Sequence, residues 1–225
     1  MQVYGGIIDI VLQDRDVPAA AAFLSRRLRD LVEGRYVLED LVISKTLRGY
    51  YKIPHQIAHW VLARRMYERD PGSAPQANDR VPYVFVETSK KDALMGDRID
   101  HVDYVAKSIE QRKATGATKA GGVRVDTKLY VQNQIQKPCL QLLAIALEQL
   151  PGYVPRPELT GPQAFKTILD AKNGNARKAR ERLDTLRERE VERLLFDPVL
   201  AHPAIRDRDN RCNGQTDMHA FFARK

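Results

Sequence analysis

Apolar positions recur at helical spacing in DVPAAAAFLSRRLRDLVEGR, where Ala21, Leu24, Leu28 and then Leu31 or Val32 line up as one stripe. The pattern predicts a helix. Asp16 is placed to cap it, Pro18 sits in its first turn, where a missing N–H costs little, and Gly34 marks its end. LEDLVISKTL follows, with Leu41, Val42 and Ile43 as a short strand. PHQIAHWVLARRMYERD is amphipathic again. Ile57, Val61, Leu62 and Met66 point one way, while Arg64, Arg65 and Arg69 fall on or beside the other face. The turn-rich DPGSAPQAND then leads to a strand over Val81 to Val86.

The pattern loosens in the middle of the chain. KATGATKAGG, from Lys113 to Gly122, reads as a flexible connector. Asp126 is placed to cap a helix through Leu129, Tyr130 and Ile135, and Pro138 is expected to break or kink it before Leu140 to Leu150 continues. The prolines of LPGYVPRPELTGP mark a boundary, and two further helices are split at Asn173-Gly174. The last alternates Arg with Glu, the pattern of a solvated face held by i,i+4 pairs. Residues beyond Pro203 lack periodicity and read as a tail. The whole is predicted to be mainly α with small β elements.

Composition narrows the class. Of 225 residues, 43% are hydrophobic, enough for a real core in one domain or two small ones. No apolar run approaches the roughly 18 residues of a membrane span, and the N-terminus does not read as a signal peptide, so an intracellular protein is expected. Cys139 and Cys212 stand far apart without a CxxC, so plain thiols are expected rather than a zinc ribbon or a disulfide. The net charge of +8 is unevenly spread. Residues 45–80 carry seven Lys or Arg against three Asp or Glu, and residues 107–137 carry seven against two. Two separated basic segments suit a polyanion-binding face assembled from different parts of a fold; a merely solubilising surface is the alternative.

Several strings then carry a resemblance. LVISKTL, the helix beginning PHQIAH and containing ARRM, RDPGSAP, NDRVPYVFVE and VDTKLYVQNQIQKPCLQLL occur in the order seen near the C-terminal end of family B DNA polymerases. The likeness is strongest to the delta type of eukaryotes and large DNA viruses, and spans roughly residues 4 to 150. It implies the end of the palm over residues 1–44 and the thumb, a largely helical domain that grips primer-template duplex, over 45–152. A helical extension over 153–202 and a flexible tail over 203–225 would follow. It also implies the nucleus or a viral replication site as location. Polymerase chemistry needs aspartates that hold two metal ions, magnesium in the complete enzyme. The family carries them in DxxSLYPS-like and YGDTD-like motifs, and neither string occurs here. The chain is therefore expected to have no cofactor of its own, to be inactive alone and to need the catalytic part as partner. The paired cysteine modules of the cellular enzymes also have no counterpart beyond Cys212.

The chemistry expected of such a piece is duplex holding through backbone phosphates, which attract Lys and Arg without reading sequence. Candidates are Lys45, Arg48, Lys52, Arg65 and Arg80 in the first basic segment, with Lys128 and Lys137 in the second. Tyr50 and Tyr51 are suited to pack against sugars. His55 and His59 stand four apart; packing and phosphate contact is the main reading for His59, and a metal pair the alternative. Near the end of the sequence, Gln215, Met218, Phe221 and Phe222 have the spacing Q-x-x-M-x-x-F-F, which resembles that of sliding-clamp-binding peptides, the PCNA-interacting box. A single 3₁₀ turn would bring Met218 and Phe221 to one side as a plug. The alternative is a tail whose phenylalanines fold back on the body. Two functions from different classes stand at this point: the thumb portion of a replicative polymerase, or a freestanding, non-catalytic DNA- and clamp-binding accessory protein.

Overall fold

The computed structural model describes residues 3–115, 122–161, 163–172 and 174–213. The fold is mainly α with one small antiparallel sheet, as the pattern predicts. In chain order the elements are α1 (Val3–Asp9), α2 (Val17–Val32), β1 (Ile43–Thr46), α3 (Ala58–Arg69), β2 (Arg80–Phe85), β3 (Ile99–His101) and α4 (Val102–Thr115). There follow α5 (Thr127–Tyr130), α6 (Lys137–Ile145), α7 (Ala164–Ala171), α8 (Ala176–Val191), α9 (Asp197–Leu200) and α10 (Pro203–Cys212). These elements form two compact units. One takes Tyr36–Thr127 together with the segment from Ala204; the other takes the residues up to Arg35 together with Lys128–Pro203.

The first unit is built on the sheet, ordered β1-β2-β3. Ile43 pairs with Tyr83 and Thr46 with Arg80, while Tyr83 also pairs with His101. The strand expected at Leu41–Ile43 thus starts two residues later, because Leu38–Leu41 closes a 3₁₀ turn that buries Leu41. Val81, Val84 and Ile99 are fully buried, as is Leu62 of α3. Gly96 lies so near this helix that a Cβ there would stand 2.8 Å from Val61 Cβ; no larger residue fits without displacing α3.

The segment beyond Pro203 is not simply a tail. Residues 203–212 form α10, whose Ile205 is 1% exposed and whose Arg208 is buried. Its apolar period is hidden because long-range ion pairs carry much of its attachment. Arg208 donates to Asp126, and Arg211 donates through Nε (2.9 Å) and Nη2 (2.6 Å) to the carboxylate of Glu87. Asp126, read as a helix cap, is the receptor of that guanidinium.

The second unit is helical. In α2 the predicted stripe is realised: Ala21, Leu24, Leu28, Leu31 and Val32 are all buried, and Asp16 accepts a hydrogen bond from Ala19 N–H at 2.8 Å. Gly34 takes the left-handed conformation (φ 78°) that ends the helix. Pro138 neither breaks nor visibly interrupts the helical path. A π-helical segment, Val131–Gln136, joins α5 to α6 just ahead of it, and a second, Glu192–Phe196, stands just ahead of Pro198. Proline supplies no N–H and crowds the carbonyl four residues back; a widened turn absorbs both. Helix α6 ends at Ile145, and a 3₁₀ turn, Leu147–Gln149, completes the stretch expected to run to Leu150. The alternating charges of α8 are solvated at the Arg177–Glu181 pair (3.7 Å), but Glu190 is buried. Arg193 Nη2 (2.5 Å) and Arg156 Nη2 (3.0 Å) hold its carboxylate below the ordinary range, against the opposing effect of burial. Among the described residues no helix is long and apolar enough to cross a membrane.

Candidate nucleic-acid interface

Strand β1 and the loop to α3 present the sequence SKTLRGYYK. Lys45 lies on the exposed half of β1, opposite Val81 in register. Leu47 is buried and pins the strand end, its N–H donating to Asp79 O (2.8 Å) and its carbonyl accepting from Asn78 N–H (2.7 Å). In the loop beyond it Arg48, Gly49 and Tyr50 are all exposed, Tyr50 being 80% exposed.

What shapes this loop is Tyr51. Its hydroxyl accepts a hydrogen bond from Arg48 N–H at 2.7 Å and shares another with His59 Nε2 at 2.9 Å, the two rings meeting edge to face. The basic loop is thereby tied to the first turn of α3. Burial lowers the pKa of His59, and Lys45 and then Arg48 lower it further, so the ring is neutral at neutral pH. The same effect reports that Lys45 and Arg48 lie close to one imidazole. Lys45, Arg48 and Lys52 are all exposed, and no carboxylate of the described residues pairs with them. The result is an exposed, uncompensated basic cluster on a fixed loop, suited to a diffuse polyanion.

The remaining candidates are placed differently. Arg65 is half-buried, and its Nη2 donates to Ile99 O (2.5 Å) and Gly96 O (3.3 Å), so this guanidinium binds α3 to the β3 approach. Its neighbour Arg69 forks onto Asp100, both bonds at 2.9 Å, and stacks over Tyr104 at 4.0 Å. Arg80 is exposed and bends across β1 to Ser44, donating to Oγ (3.0 Å) and O (3.2 Å). Lys128 and Lys137 belong to the second unit, Lys128 half-buried and Lys137 exposed at the start of α6. The structure thus brings together Lys45, Arg48 and His59, and commits Arg65 to the protein's own backbone. Sequence reasoning missed the strut role of Tyr51; its only signal was a tyrosine eight places before a histidine on the same basic segment. Among the described residues no three His, Cys, Asp or Glu side chains gather as metal ligands. Gln215, Met218, Phe221 and Phe222 lie outside the described residues.

The chain matches the model of DNA polymerase family B over residues 2–146 and belongs to that family. Within it, the chain is 41% identical over 223 residues to the DNA polymerase of Pyramimonas orientalis virus, a match that takes in 98% of this chain and 17% of that protein. It is 39% identical over 151 residues to the DNA polymerase of Acanthamoeba polyphaga mimivirus, covering 65% of this chain and 8% of that one. The DNA polymerase delta catalytic subunit of Candida albicans is 34% identical over 132 residues, 59% of this chain and 11% of that subunit. The chain therefore spans less than a fifth of the length of these relatives, and the likeness to the Pyramimonas virus protein includes the charged C-terminal extension.

Proposed function

We propose that this chain is the C-terminal, thumb-side part of a replicative family B DNA-directed DNA polymerase, and that it grips primer-template duplex. The observation that carries the reading is the Tyr51–His59 strut, which holds Lys45, Arg48 and Lys52 out on a fixed loop without carboxylate partners. Such a loop meets phosphate oxygens and ignores base identity, the requirement for an enzyme that advances along every sequence. Lys137 and Arg80 add exposed charge, and Tyr50 offers an exposed ring for sugar packing. Nucleotidyl transfer is assigned to the catalytic part of the polymerase, where carboxylate-bound magnesium ions act, and no step of it is assigned to residues of this chain. In this reading Gln215, Met218, Phe221 and Phe222 tether the polymerase to a PCNA-like sliding clamp.

The test is a fluorescence titration of the full chain with short duplex DNA across salt concentrations. Binding is expected to be weak, sequence-independent and steeply salt-sensitive, and Lys45→Ala/Arg48→Ala/Lys52→Ala to flatten the salt slope by about one to three units. An unchanged slope would remove the basic loop from the DNA face. A parallel calorimetric titration with the cognate clamp tests the tether: Phe221→Ala/Phe222→Ala is expected to weaken binding by about thirtyfold or more, since loss of such anchors commonly costs about 2 kcal/mol or more.

A further inference from the structure

Just past β2, within the first unit, Glu87, Thr88 and Ser89 meet Gly122, Arg124, Arg211 and Cys212 around an open concavity of about 250 Å³. Its frame is fixed by backbone. Glu87 N–H donates to Arg124 O (2.8 Å), Asp126 N–H donates to Phe85 O (3.0 Å), and Val86 bridges to Val125 between them. Helix α4 adjoins the Gly122 side, where Ser108 Oγ accepts from Val123 N–H at 2.9 Å. Arg112, one turn on, places its Cδ 3.8 Å from where a Cβ on Gly122 would stand, so its side chain packs against Gly122, which lines the concavity.

The charges around this space do not balance. Glu87 is engaged by both arms of Arg211, and its side chain is only 12% exposed. Arg208 is covered by Asp126 and Asp209. No carboxylate of the described residues pairs with Arg112 or Arg124. Arg112 Nη1 is buried and has no hydrogen-bond partner, an arrangement that leaves a donor desolvated at appreciable cost. Burial first, and then the positive charges of Arg211 and Arg112, lower the pKa of Arg124, with Glu87 only partly opposing them. An unsatisfied guanidinium donor and mutually repelling arginines are relieved together by one kind of ligand, a compact anion rich in oxygen acceptors. Guanidinium forks match phosphate oxygens in geometry as well as charge.

We propose that this concavity is a binding site for a phosphate group, held by Arg112, Arg124 and Arg211 with the hydroxyls of Thr88 and Ser89 beside them. It is separate from the basic loop of β1, shares no residue with it, and accepts one compact anion where the loop meets an extended one. The phosphate belongs either to a free ion or to a nucleic-acid backbone.

Inorganic phosphate titrated into the full chain, followed by the Nε–Hε resonances of its arginines, is expected to move those of Arg112, Arg124 and Arg211 along one saturable curve. Arg124→Gln is expected to weaken that binding about tenfold, the loss of one charge-assisted contact. Lys45→Ala/Arg48→Ala/Lys52→Ala is expected to leave it unchanged, which separates this site from the duplex-gripping face. Adding a short duplex to the phosphate-bound chain then identifies the source: displacement assigns the site to a backbone phosphate, and retention assigns it to a free one. The wild-type titration stands even where a variant does not fold. Absence of a common saturable shift, or undiminished affinity in a folded Arg124→Gln, overturns the proposal.

Discussion

Arg208 reaches Asp126 across 82 positions of sequence, its Nε donating to Oδ1 at 2.9 Å and its Nη2 to Oδ2, while Nη1 donates to Asp209. The Asp126 side chain is fully buried and that of Arg208 is 11% exposed. Removing one member of a buried, hydrogen-bonded pair leaves the other charge uncompensated, so Arg208→Ala is expected to destabilise the protein by about 3–5 kcal/mol. Urea unfolding of the variant against wild type measures it. A midpoint that does not move would mean that the Arg208–Asp126 pair contributes nothing net to stability.

His59 gives stability a defined dependence on pH. Its folded pKa lies below the ordinary 6.5, chiefly because burial disfavours the cation. Between the folded value and 6.5 the unfolded chain binds the extra proton, so stability rises with pH there. This contribution is complete above 6.5 and is lost as the pH falls through that interval. Unfolding midpoints at pH 7.5 and 5.5 are expected to differ less in His59→Gln than in wild type. An equal difference in the two proteins would show that His59 does not carry this pH dependence.

Arg65 and the lysines of the β1 loop are separable by mutation. Arg65→Met leaves the carbonyls of Ile99 and Gly96 without their donor and is expected to cost about 1–3 kcal/mol in thermal or chemical unfolding. Its duplex affinity is expected to keep the wild-type salt slope. A slope reduced by about one unit with unchanged stability would instead make Arg65 a phosphate contact.

Burial pushes the thiol of Cys139 up to about 12, and that of Cys212 upward by the same cause. The thiolate is the reactive form, so Cys139 is expected to resist iodoacetamide at pH 8 until the protein unfolds. Peptide mass spectrometry after a timed pulse checks this, and rapid native labelling of Cys139 would place α6 in frequent opening.

Local pattern carried far in this sequence. The α2 stripe, its Asp16 cap and Gly34 stop, the β2 strand and the split of α7 from α8 all depend on neighbours within a few residues, and they are where the spacing put them. The misses share a cause. Helix α10 was unreadable because its partners, Asp126 and Glu87, are 82 and 124 positions away. The backbone partners of Arg65 left no local signal either, since Gly96 and Ile99 are 31 and 34 positions away. Lys45, Arg48 and Lys52 stand out in the sequence by their charge; the strut that orders them does not, because a Tyr–His hydrogen bond leaves no periodic trace.

The first unit closes only when a late segment meets an early one. A ribosome releases Asp126 long before it has made Arg208, and at roughly 5–20 residues per second the interval is on the order of ten seconds. During that time the intervening stretch, from Lys128 to Pro203, can assemble with the already released residues of α1 and α2. The helical unit is thus positioned to mature first in vectorial synthesis, and the sheet unit to wait for its last helix. Nascent chains stalled before residue 203 would keep a carboxylate awaiting its guanidinium, and any quality-control factor that senses incomplete closure has a long window in which to act on them.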